Sequence, residues 1–417
     1  MLALEIEGKK SLSGTIRISG AKNSAVALIP AAILSDDETT ICNVPEITDV
    51  KALAEILLYL NVDARRASES IVINPQNMKN EIITEEHSKK LRASYYFLGA
   101  LLGKYKKASM YFPGGCSIGK RPIDLHLKGF EALGAKINSD GNCYTIEADE
   151  LKGADIYLNI ASVGATINIM LAAVKAKGTT IIRNAAKEPE IVNTATFLNN
   201  MGAKISGAGT SKIKIEGVEH LHGCFHEVIP DRIEAGTYLI IGALCSEKLK
   251  VTNVIPKHVE ALISKLEEAG VTVSVDGDTI TVEKPEKYKA TNIKTLVYPG
   301  FPTDLQQPFT VLLTQAEGRS KIEETIYENR FMHIPYLNKM GANITVDKMT
   351  ATVEGKTNLK GCEVEATDLR AGSAMIAAAL IAEGTTTITK VEHILRGYEN
   401  IVEKLTDIGA NIELKEI

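Results

Sequence analysis

Hydrophobic and polar positions follow one order along this chain, and that order recurs six times. Each copy opens with an apolar, alanine-rich stretch such as AVALIPAAIL and continues into a β-branched run such as TTIIRN. A turn, a second stretch with apolar residues at helical spacing and a strand such as ANITV follow. The copies start near residues 20, 91, 162, 231, 300 and 368. The pattern therefore predicts six α/β units of about 70 residues each.

The second predicted helix of each copy ends at a residue that tolerates a left-handed backbone. Five copies have glycine there and the first has asparagine, and these are the two usual helix-capping residues of this kind: Asn61, Gly134, Gly202, Gly270, Gly341 and Gly409. One such unit is about half the size of a typical domain and cannot bury both faces of its helices. We therefore expect two domains of three units each, in the α/β class.

Composition and charge exclude several classes of protein. The 417 residues are 45% hydrophobic and 24% charged, which is ordinary for a folded chain with a large core. The net charge of -5 disfavours a general nucleic-acid binder or a basic membrane-surface protein. The start MLALEIEGKK lacks the order of a signal peptide, and no window approaches 18 uninterrupted apolar residues. We expect partners that are neither nucleic acid nor membrane.

The six cysteines include no CxxC pair, so we expect reduced thiols and a cytoplasmic location. The eight histidines are scattered without an HxxxH pair, and no glycine fingerprint for a nucleotide cofactor is present. We therefore predict neither a metal nor a cofactor, and we interpret His126 and His393 as hydrogen-bonded structural residues.

The turns that open the first helices carry the candidate chemistry. Helix starts present free N–H groups and a partial positive charge, which suit phosphate or carboxylate groups. The six copies carry unlike polar residues in these turns: Lys22, Asn23, Ser24, Arg92, Ser94, Ser162, Gly164, Asp231, Arg232, Glu234, Thr303, Asp304, Asp368 and Arg370. Each residue alone is more simply a helix cap or a surface charge. Because equivalent turns of similar units tend to share one side, the set together predicts one site. A structural clamp is the alternative, but its copies would be decorated alike.

The turns before the second helices form another layer of candidates. The second copy has PGGCSIGKRP at 113–122, where three glycines predict a mobile loop. Cys116 lies between glycines and close to Lys120 and Arg121, cations that favour a thiolate. The matching turns of copies five and six supply Arg330 and Arg396.

These motifs resemble the UDP-N-acetylglucosamine enolpyruvyl transferase family along the whole chain. The matching segments occur in order and are specific: GAKNS at 20–24, LRASYY at 91–96, PGGCSIGKRPIDLH at 113–126, SVGAT at 162–166, PDRIEAGT at 230–237, YPGFPTDLQ at 298–306, ENRFMH at 328–333, DLRAGSA at 368–374 and RGYEN at 396–400. The resemblance implies two inside-out α/β barrels of three units each. It places one domain at 22–229, the other at 1–21 with 230–417, and an active site in the cleft between them.

The resemblance also implies a reaction: transfer of the enolpyruvyl group of phosphoenolpyruvate to the 3-hydroxyl of a nucleotide sugar in peptidoglycan synthesis. Cys116 would be the general acid at C3 and the site of a covalent adduct, and Asp304 the base for the sugar hydroxyl, with Lys22 as a third catalytic residue. Phosphoenolpyruvate would bind to a largely cationic set: Lys22, Asn23, Arg121, Arg330, Arg370 and Arg396. The nucleotide sugar would bind to a second set: Arg92, Arg121, Pro122, Ile123, Asp124, Leu125, Ser162, Val163, Gly164, Asp304 and Ile326.

One departure and two rivals qualify this interpretation. Some family members have lysine where Ile160 stands here, which removes one possible contact to the nucleotide. The first rival is a 5-enolpyruvylshikimate-3-phosphate synthase-like transferase, which shares the donor but lacks the cysteine loop. The second is a catalytically silent regulatory paralogue. Four retained residues argue against it: Cys116, Lys22, Asp304 and Arg396. Asp231 and Glu234 fit helix capping with salt bridges better than chemistry. We expect a monomer that acts on small molecules.

Overall fold

The computed structural model describes residues 2–112 and 122–417 as a mixed α/β protein. Its helices are the following: α1 Lys22–Ala31, α2 Thr48–Tyr59, α3 Glu85–Lys90, α4 Tyr96–Tyr105, α5 Asp124–Ala132, α6 Val163–Ala173, α7 Pro189–Asn200, α8 Arg232–Cys245, α9 Glu260–Glu268, α10 Thr303–Leu313, α11 Ile334–Lys339, α12 Leu369–Ile381, α13 Glu392–Leu395 and α14 Ile401–Asp407. Short 3₁₀ turns occupy Ala32–Leu34, Arg92–Tyr95 and Pro256–Val259.

The strands are short and most have two to six residues. In chain order they are β1 Leu2–Glu7, β2 Leu12–Arg17, β3 Thr39–Cys42, β4 Asp63–Ala67, β5 Ser70–Asn74, β6 Lys107–Tyr111, β7 Lys136–Asp140, β8 Cys143–Glu147, β9 Asp155–Tyr157, β10 Thr179–Arg183, β11 Lys204–Ser206, β12 Lys212–Glu216, β13 Phe225–Glu227, β14 Ser246–Thr252, β15 Thr272–Asp276, β16 Thr279–Glu283, β17 Tyr288–Lys289, β18 Ile293–Lys294, β19 Ala316–Glu323, β20 Ile344–Asp347, β21 Thr350–Gly355, β22 Glu363–Glu365, β23 Thr385–Thr389 and β24 Asn411–Glu416.

Six separate sheets correspond to the six predicted units. Three belong to one compact part of the chain, with strand orders β13-β3-β5-β4, β6-β8-β7 and β11-β12-β10-β9. The other three have the orders β22-β23-β1-β24, β15-β16-β14-β2 and β17-β19-β21-β20, with β18 beside β19. None of these described sheets closes on itself.

Two compact units divide the described chain. Unit A comprises residues 20–112 and 122–229, and unit B comprises residues 2–19 and 230–417. Each unit has a hydrophobic core of its own: one is built from residues between Ala21 and Val228, and the other from Leu4–Ile18 together with Ile233–Ile412.

The alanine-rich first helices lie in the centre of each unit. In α6 every residue from Ala165 to Ala173 is buried, and in α8 every residue from Ile233 to Cys245. A helix that is apolar on all sides must be surrounded by other elements. In unit A α4 contacts both α1 and α6, and in unit B α8, α10 and α12 contact one another. The strands cover them, with outer faces such as that of β7 largely exposed. This is the inside-out arrangement that the resemblance implied.

The predicted helix caps are confirmed. Gly134, Gly202, Gly270, Gly341 and Gly409 all have φ between 94° and 110°, and Asn61 has φ of 61°. Each follows the last residue of a second helix by two positions. The left-handed backbone at these positions ends the helix and turns the chain into the next strand.

Each copy contains more strands than the sequence predicted. We expected one strand after each second helix, but five copies have a two-stranded hairpin there, as with β7 and β8. In the sixth copy β24 pairs with the N-terminal strand β1 instead. In three copies a further short strand precedes the first helix and pairs in parallel with the strand that follows that helix: β9 with β10, β17 with β19 and β22 with β23.

The chain crosses between the two units in both directions. Strand β2, which precedes α1, pairs with β14 of unit B, whereas β13, which precedes α8, pairs with β3 of unit A. Unit B therefore needs both N-terminal strands to complete its sheets. None of the described helices has the length and hydrophobicity that a membrane span requires.

Candidate active site

Asp304 lies between two buried arginines in unit B. It is the second residue of α10, and its side chain is 26% exposed. Arg330 Nη2 is 2.6 Å from Asp304 Oδ1, and Arg370 Nη2 is 3.1 Å from Oδ2. Arg370 Nε also donates to Oδ2 at 3.2 Å. The two cations fix the orientation of the carboxylate while one side of it faces solvent.

The side chains of the two arginines are only 3% and 4% exposed, so both charged groups are buried. Arg370 follows the first residue of α12, and Arg330 lies in the loop before α11. Burial alone would lower the pKa of Arg370, but Tyr398, Asp304 and Asp231 outweigh it and raise that pKa. Arg370 therefore carries a positive charge at any physiological pH.

A second set of polar groups holds the arginines from behind. Asp368 caps α12 by accepting hydrogen bonds from the backbone N–H groups of Arg370 at 2.8 Å and Ala371 at 3.0 Å. The Gln307 amide donates to Asp368 Oδ2 at 3.2 Å and to the Arg330 carbonyl at 3.1 Å. Gln307 is fully buried on α10, so this amide links the three segments that carry the ion-pair cluster.

Glu324 organises the loop that contains Ile326. Its carboxylate, 1% exposed, accepts hydrogen bonds from Thr295 Oγ1 at 2.8 Å and Thr303 Oγ1 at 2.9 Å. It also accepts from the backbone N–H of Ile326 at 2.8 Å. Because Thr303 precedes Asp304, one buried carboxylate connects Ile326 to the start of α10.

Lys22 is paired within unit A. It is the first residue of α1, and its Nζ is 3.0 Å from Asp49 Oδ2 in the first turn of α2. Asp49 is 1% exposed, whereas the Lys22 side chain is 16% exposed. Asn23 follows Lys22 on the same turn and is half-buried. Asp49 therefore holds the Lys22 ammonium group in an ion pair, and the lysine side chain stays partly exposed.

The start of α6 lies against the start of α5. Ser162 caps α6 by accepting from the Ala165 N–H at 3.2 Å, and the N–H groups of Val163 and Gly164 have no acceptor inside the helix. A side chain at Gly164 would lie 2.9 Å from His126 Cε1 and from Tyr95 Oη. A residue larger than glycine would therefore have to displace both side chains.

Asn168 connects the segments around that helix start. Its amide donates to the Tyr95 carbonyl and to His126 Nδ1, both at 2.9 Å, and accepts from Gly99 N–H at 2.8 Å. The structure thereby gathers most of the predicted nucleotide-sugar set in one part of unit A: Arg92, Pro122, Ile123, Asp124, Leu125, Ser162, Val163 and Gly164. The prediction that His126 is a hydrogen-bonded residue is confirmed.

The predicted site residues that the structure describes thus form two groups, one in each unit. Asp304, Ile326, Arg330 and Arg370 belong to unit B. Arg396 belongs to the same unit and precedes Tyr398 by two residues. Lys22 and the set around Ser162 belong to unit A. Cys116 and Arg121 lie outside the described residues, so their predicted roles stay predictions.

Several residues of these networks did not stand out in the sequence: Asp49, Asn168, Gln307, Glu324 and Tyr398. For Asn168 and Gln307 a signal existed, because each is an amide inside an otherwise apolar helix, in TINIML and LQQPFT. An amide there must find partners when buried. Glu324 and Tyr398 lie in loops, where the sequence pattern gives no indication of burial.

The prediction for Asp231 and Glu234 is confirmed. Asp231 caps α8 by accepting from the N–H groups of Ile233 at 2.8 Å and Glu234 at 3.0 Å. Glu234 forms an ion pair with Lys404 at 2.6 Å. Ile160, the departure noted above, is 66% exposed. Within the described ranges, no group of three histidine, cysteine or acidic side chains is arranged to hold a metal ion.

Known proteins resemble this chain along nearly its whole length. The family model of EPSP synthase (3-phosphoshikimate 1-carboxyvinyltransferase) matches residues 6–405. A protein from Bacillus cereus named UDP-N-acetylglucosamine 1-carboxyvinyltransferase 2 is 56% identical over 413 residues, 99% of this chain and 96% of that protein. A protein of the same name from Listeria innocua is 55% identical over 409 residues, 98% of this chain and 97% of that protein.

Solved structures resemble the fold along its full length. The enolpyruvyl transferase NikO from Streptomyces tendae has a TM-score of 0.89 at 26% identity, with 99% of both chains covered. EPSP synthase from Acinetobacter baumannii has a TM-score of 0.76 at 20% identity, with 100% of both chains covered. The second likeness concerns the fold alone.

Proposed function

Because the chain belongs to the UDP-N-acetylglucosamine 1-carboxyvinyltransferase family of enolpyruvyl transferases, we propose that it catalyses the reaction for which those relatives are named. It transfers the enolpyruvyl group of phosphoenolpyruvate to the 3-hydroxyl of UDP-N-acetylglucosamine and releases phosphate. The observation that carries this proposal is 56% identity to a protein of that name over 99% of the chain. The product enters peptidoglycan synthesis, and through it cell shape and division.

The proposed chemistry is addition followed by elimination. The sugar hydroxyl attacks C2 of phosphoenolpyruvate while its proton passes to a base and C3 gains a proton from an acid. Phosphate then leaves from C2 as C3 loses a proton, which restores the double bond. Asp304, oriented by Arg330 and Arg370, is the proposed base, since its carboxylate is fixed and still partly exposed. Cys116 is the proposed acid and the site of a covalent adduct.

Cationic side chains provide the proposed site for phosphoenolpyruvate, which carries a phosphate and a carboxylate. Lys22, Arg121, Arg330, Arg370 and Arg396 are the proposed ligands, with Asn23 beside Lys22. Arginine suits both groups because its planar fork gives two parallel hydrogen bonds. Fixed charges of this kind also stabilise charge that develops in the transition state.

The proposed nucleotide-sugar site lies at the start of α6. The backbone N–H groups of Val163 and Gly164 point out of the helix start, which is suited to a diphosphate. Arg92 and the segment 121–125 would contact the same ligand, with Asp304 and Ile326 on its sugar. The protein is proposed to act as a cytoplasmic monomer without metal or cofactor. Its five described cysteines are unpaired, which supports a reducing compartment.

A phosphate-release assay tests the proposal. The purified protein is mixed with phosphoenolpyruvate and either UDP-N-acetylglucosamine or shikimate 3-phosphate, and inorganic phosphate is measured. We expect release with the nucleotide sugar only, and Cys116→Ala should lower it by at least about two powers of ten. Release with shikimate 3-phosphate would favour the rival transferase. Tight nucleotide-sugar binding without release would favour a regulatory paralogue.

A further inference from the structure

The hydroxyl of Tyr398 holds Arg370 on the side away from Asp304. Arg370 Nη1 donates to Tyr398 Oη at 3.1 Å, and the guanidinium carbon is 5.4 Å from the centre of the Tyr398 ring. On its other edge the same guanidinium contacts Asp304 through Nε at 3.2 Å and Nη2 at 3.1 Å. Tyr398 is 2% exposed, so water does not replace it as the acceptor.

The direction of each hydrogen bond behind Arg370 is determined by proton counting. Thr237 Oγ1 donates its single proton to the Ile233 carbonyl at 2.9 Å. It lies 2.9 Å from Tyr398 Oη and, having no second proton, accepts the one that Tyr398 carries. The lone pairs of Tyr398 therefore face Arg370. Thr237 is fully buried in α8, so this helix anchors the series of contacts from Thr237 through Tyr398 to Arg370.

We infer that Tyr398 is a positioning residue, whose hydroxyl orients Arg370 and thereby the Asp304 carboxylate. The hydrogen bond to Thr237 fixes the direction of the Tyr398 hydroxyl proton. The inference rests on the proposed function, in which Asp304 is the base for the sugar hydroxyl. The N–H groups of Arg370 donate to two acceptors, the Asp304 carboxylate and the Tyr398 hydroxyl oxygen. Without Tyr398 Oη, the buried Nη1 has lost its neutral acceptor, and the guanidinium turns further toward Asp304. A carboxylate held by more donors is a weaker base.

This arrangement predicts a larger effect on the chemical step than on substrate binding. The base acts only while the sugar hydroxyl loses its proton, so a misdirected carboxylate lowers kcat more than it raises KM. Tyr398 touches neither substrate in the proposed function, which distinguishes it from Arg370 itself. A merely structural role would lower stability without this division between kcat and KM.

The test compares Tyr398→Phe with Tyr288→Phe. Tyr288 is a matched control because it is also a buried tyrosine of unit B, and its hydroxyl donates to the Ala243 carbonyl at 2.7 Å. We expect Tyr398→Phe to lower kcat about tenfold, the effect of one hydrogen bond to a charged group, with KM for both substrates within about threefold. Tyr288→Phe should keep kcat within about twofold, at a similar loss of thermal stability.

A double-mutant cycle with Asp304→Asn completes the test. If Tyr398 acts through Asp304, then Tyr398→Phe has little further effect on kcat when Asp304 is already replaced. Thr237→Val should lower kcat in the same direction but less, because it leaves the Tyr398 proton without its acceptor. Thr194→Val is its control, since Thr194 of α7 makes the same bond to a backbone carbonyl at 2.8 Å. The threonine pair also serves if Tyr398→Phe does not fold.

The outcomes separate the two levels of the proposal. Wild-type protein without turnover overturns the proposed function and this inference with it. Wild-type turnover together with an unchanged kcat in Tyr398→Phe overturns the inference alone. So does a full additional loss in the Asp304→Asn background, because it would mean that Tyr398 acts by another route.

Discussion

At the scale of single residues, Asp304 shows that the position of a residue in the sequence does not define its chemical environment. The sequence identifies Asp304, Arg330 and Arg370 as polar residues in three separate turns. In the structure one carboxylate accepts from both guanidinium groups, with the shortest distance 2.6 Å. A chemical group of defined orientation exists only once these turns meet. The sequence predicted the members of the group, and the structure supplies the geometry.

His333 lies in the same buried region without a place in the proposed reaction. It is fully buried at the start of α11. Burial lowers the pKa of its imidazole to about 3, against the attraction of Asp368 and with the repulsion of Arg330. The ring is therefore neutral in the folded protein at pH values where it is charged in the unfolded chain.

This difference predicts a contribution to acid sensitivity. The stability that neutral His333 provides is complete above the ordinary histidine pKa of 6.5 and is lost as pH falls toward 3. Between pH 7.5 and 5 the wild type should lose about 2 kcal/mol of unfolding free energy that His333→Phe does not lose. Urea unfolding at both pH values measures this, with exposed His222→Phe as the control. Parallel pH dependence of wild type and His333→Phe would contradict the prediction.

At the scale of elements, the contact between α4 and α6 in unit A depends on one glycine. A Cβ at Gly99 of α4 would lie 2.4 Å from both the backbone and side-chain oxygens of Asn168 on α6. A glycine of α8, Gly236, faces only the ends of leucine side chains, and a Cβ there would lie 2.4 Å from Leu305 Cδ1. Side-chain ends can move, whereas a backbone carbonyl in a buried helix cannot.

The two glycines therefore respond differently to the same substitution. Alanine raises helix propensity by about 1 kcal/mol in both helices. We expect Gly99→Ala to lower the unfolding free energy by about 2 kcal/mol net, because α4 and α6 must separate. Gly236→Ala should stay within about 1 kcal/mol of wild type. Denaturant unfolding of both variants measures the difference, and equal losses would show that the contact at Asn168 yields as easily as side chains do.

At the scale of the whole molecule, the two units differ in how the chain supplies them. The strand pairs of unit A all lie between residues 39 and 227, in one stretch of the chain. Unit B needs β1 between β23 and β24, and β2 beside β14. Its C-terminal half without the first 19 residues has two sheets with exposed edges and an incomplete core.

Fragments of the chain test this asymmetry. We expect residues 20–229 to fold alone, with cooperative thermal unfolding, because the fragment contains a complete core. Residues 230–417 should fail to fold cooperatively and should bind hydrophobic dye. A fusion of residues 1–19 to the 230–417 fragment through a flexible linker is the control and should restore cooperative unfolding. A folded 230–417 fragment would contradict the prediction.

The sequence by itself determined the repeats, the helix caps, the central helices and the family. Each of these depends on residues close together in the chain: a left-handed glycine, an alanine-rich stretch or a local motif. Only the tertiary structure decided the hairpins, the use of β1 and β2 in unit B, and the contacts of Asn168, Gln307, Glu324 and Tyr398. Those contacts join residues far apart in the chain, so no local pattern encodes them. A polar group forms hydrogen bonds of defined direction only when burial removes water and leaves it the few partners that the fold supplies.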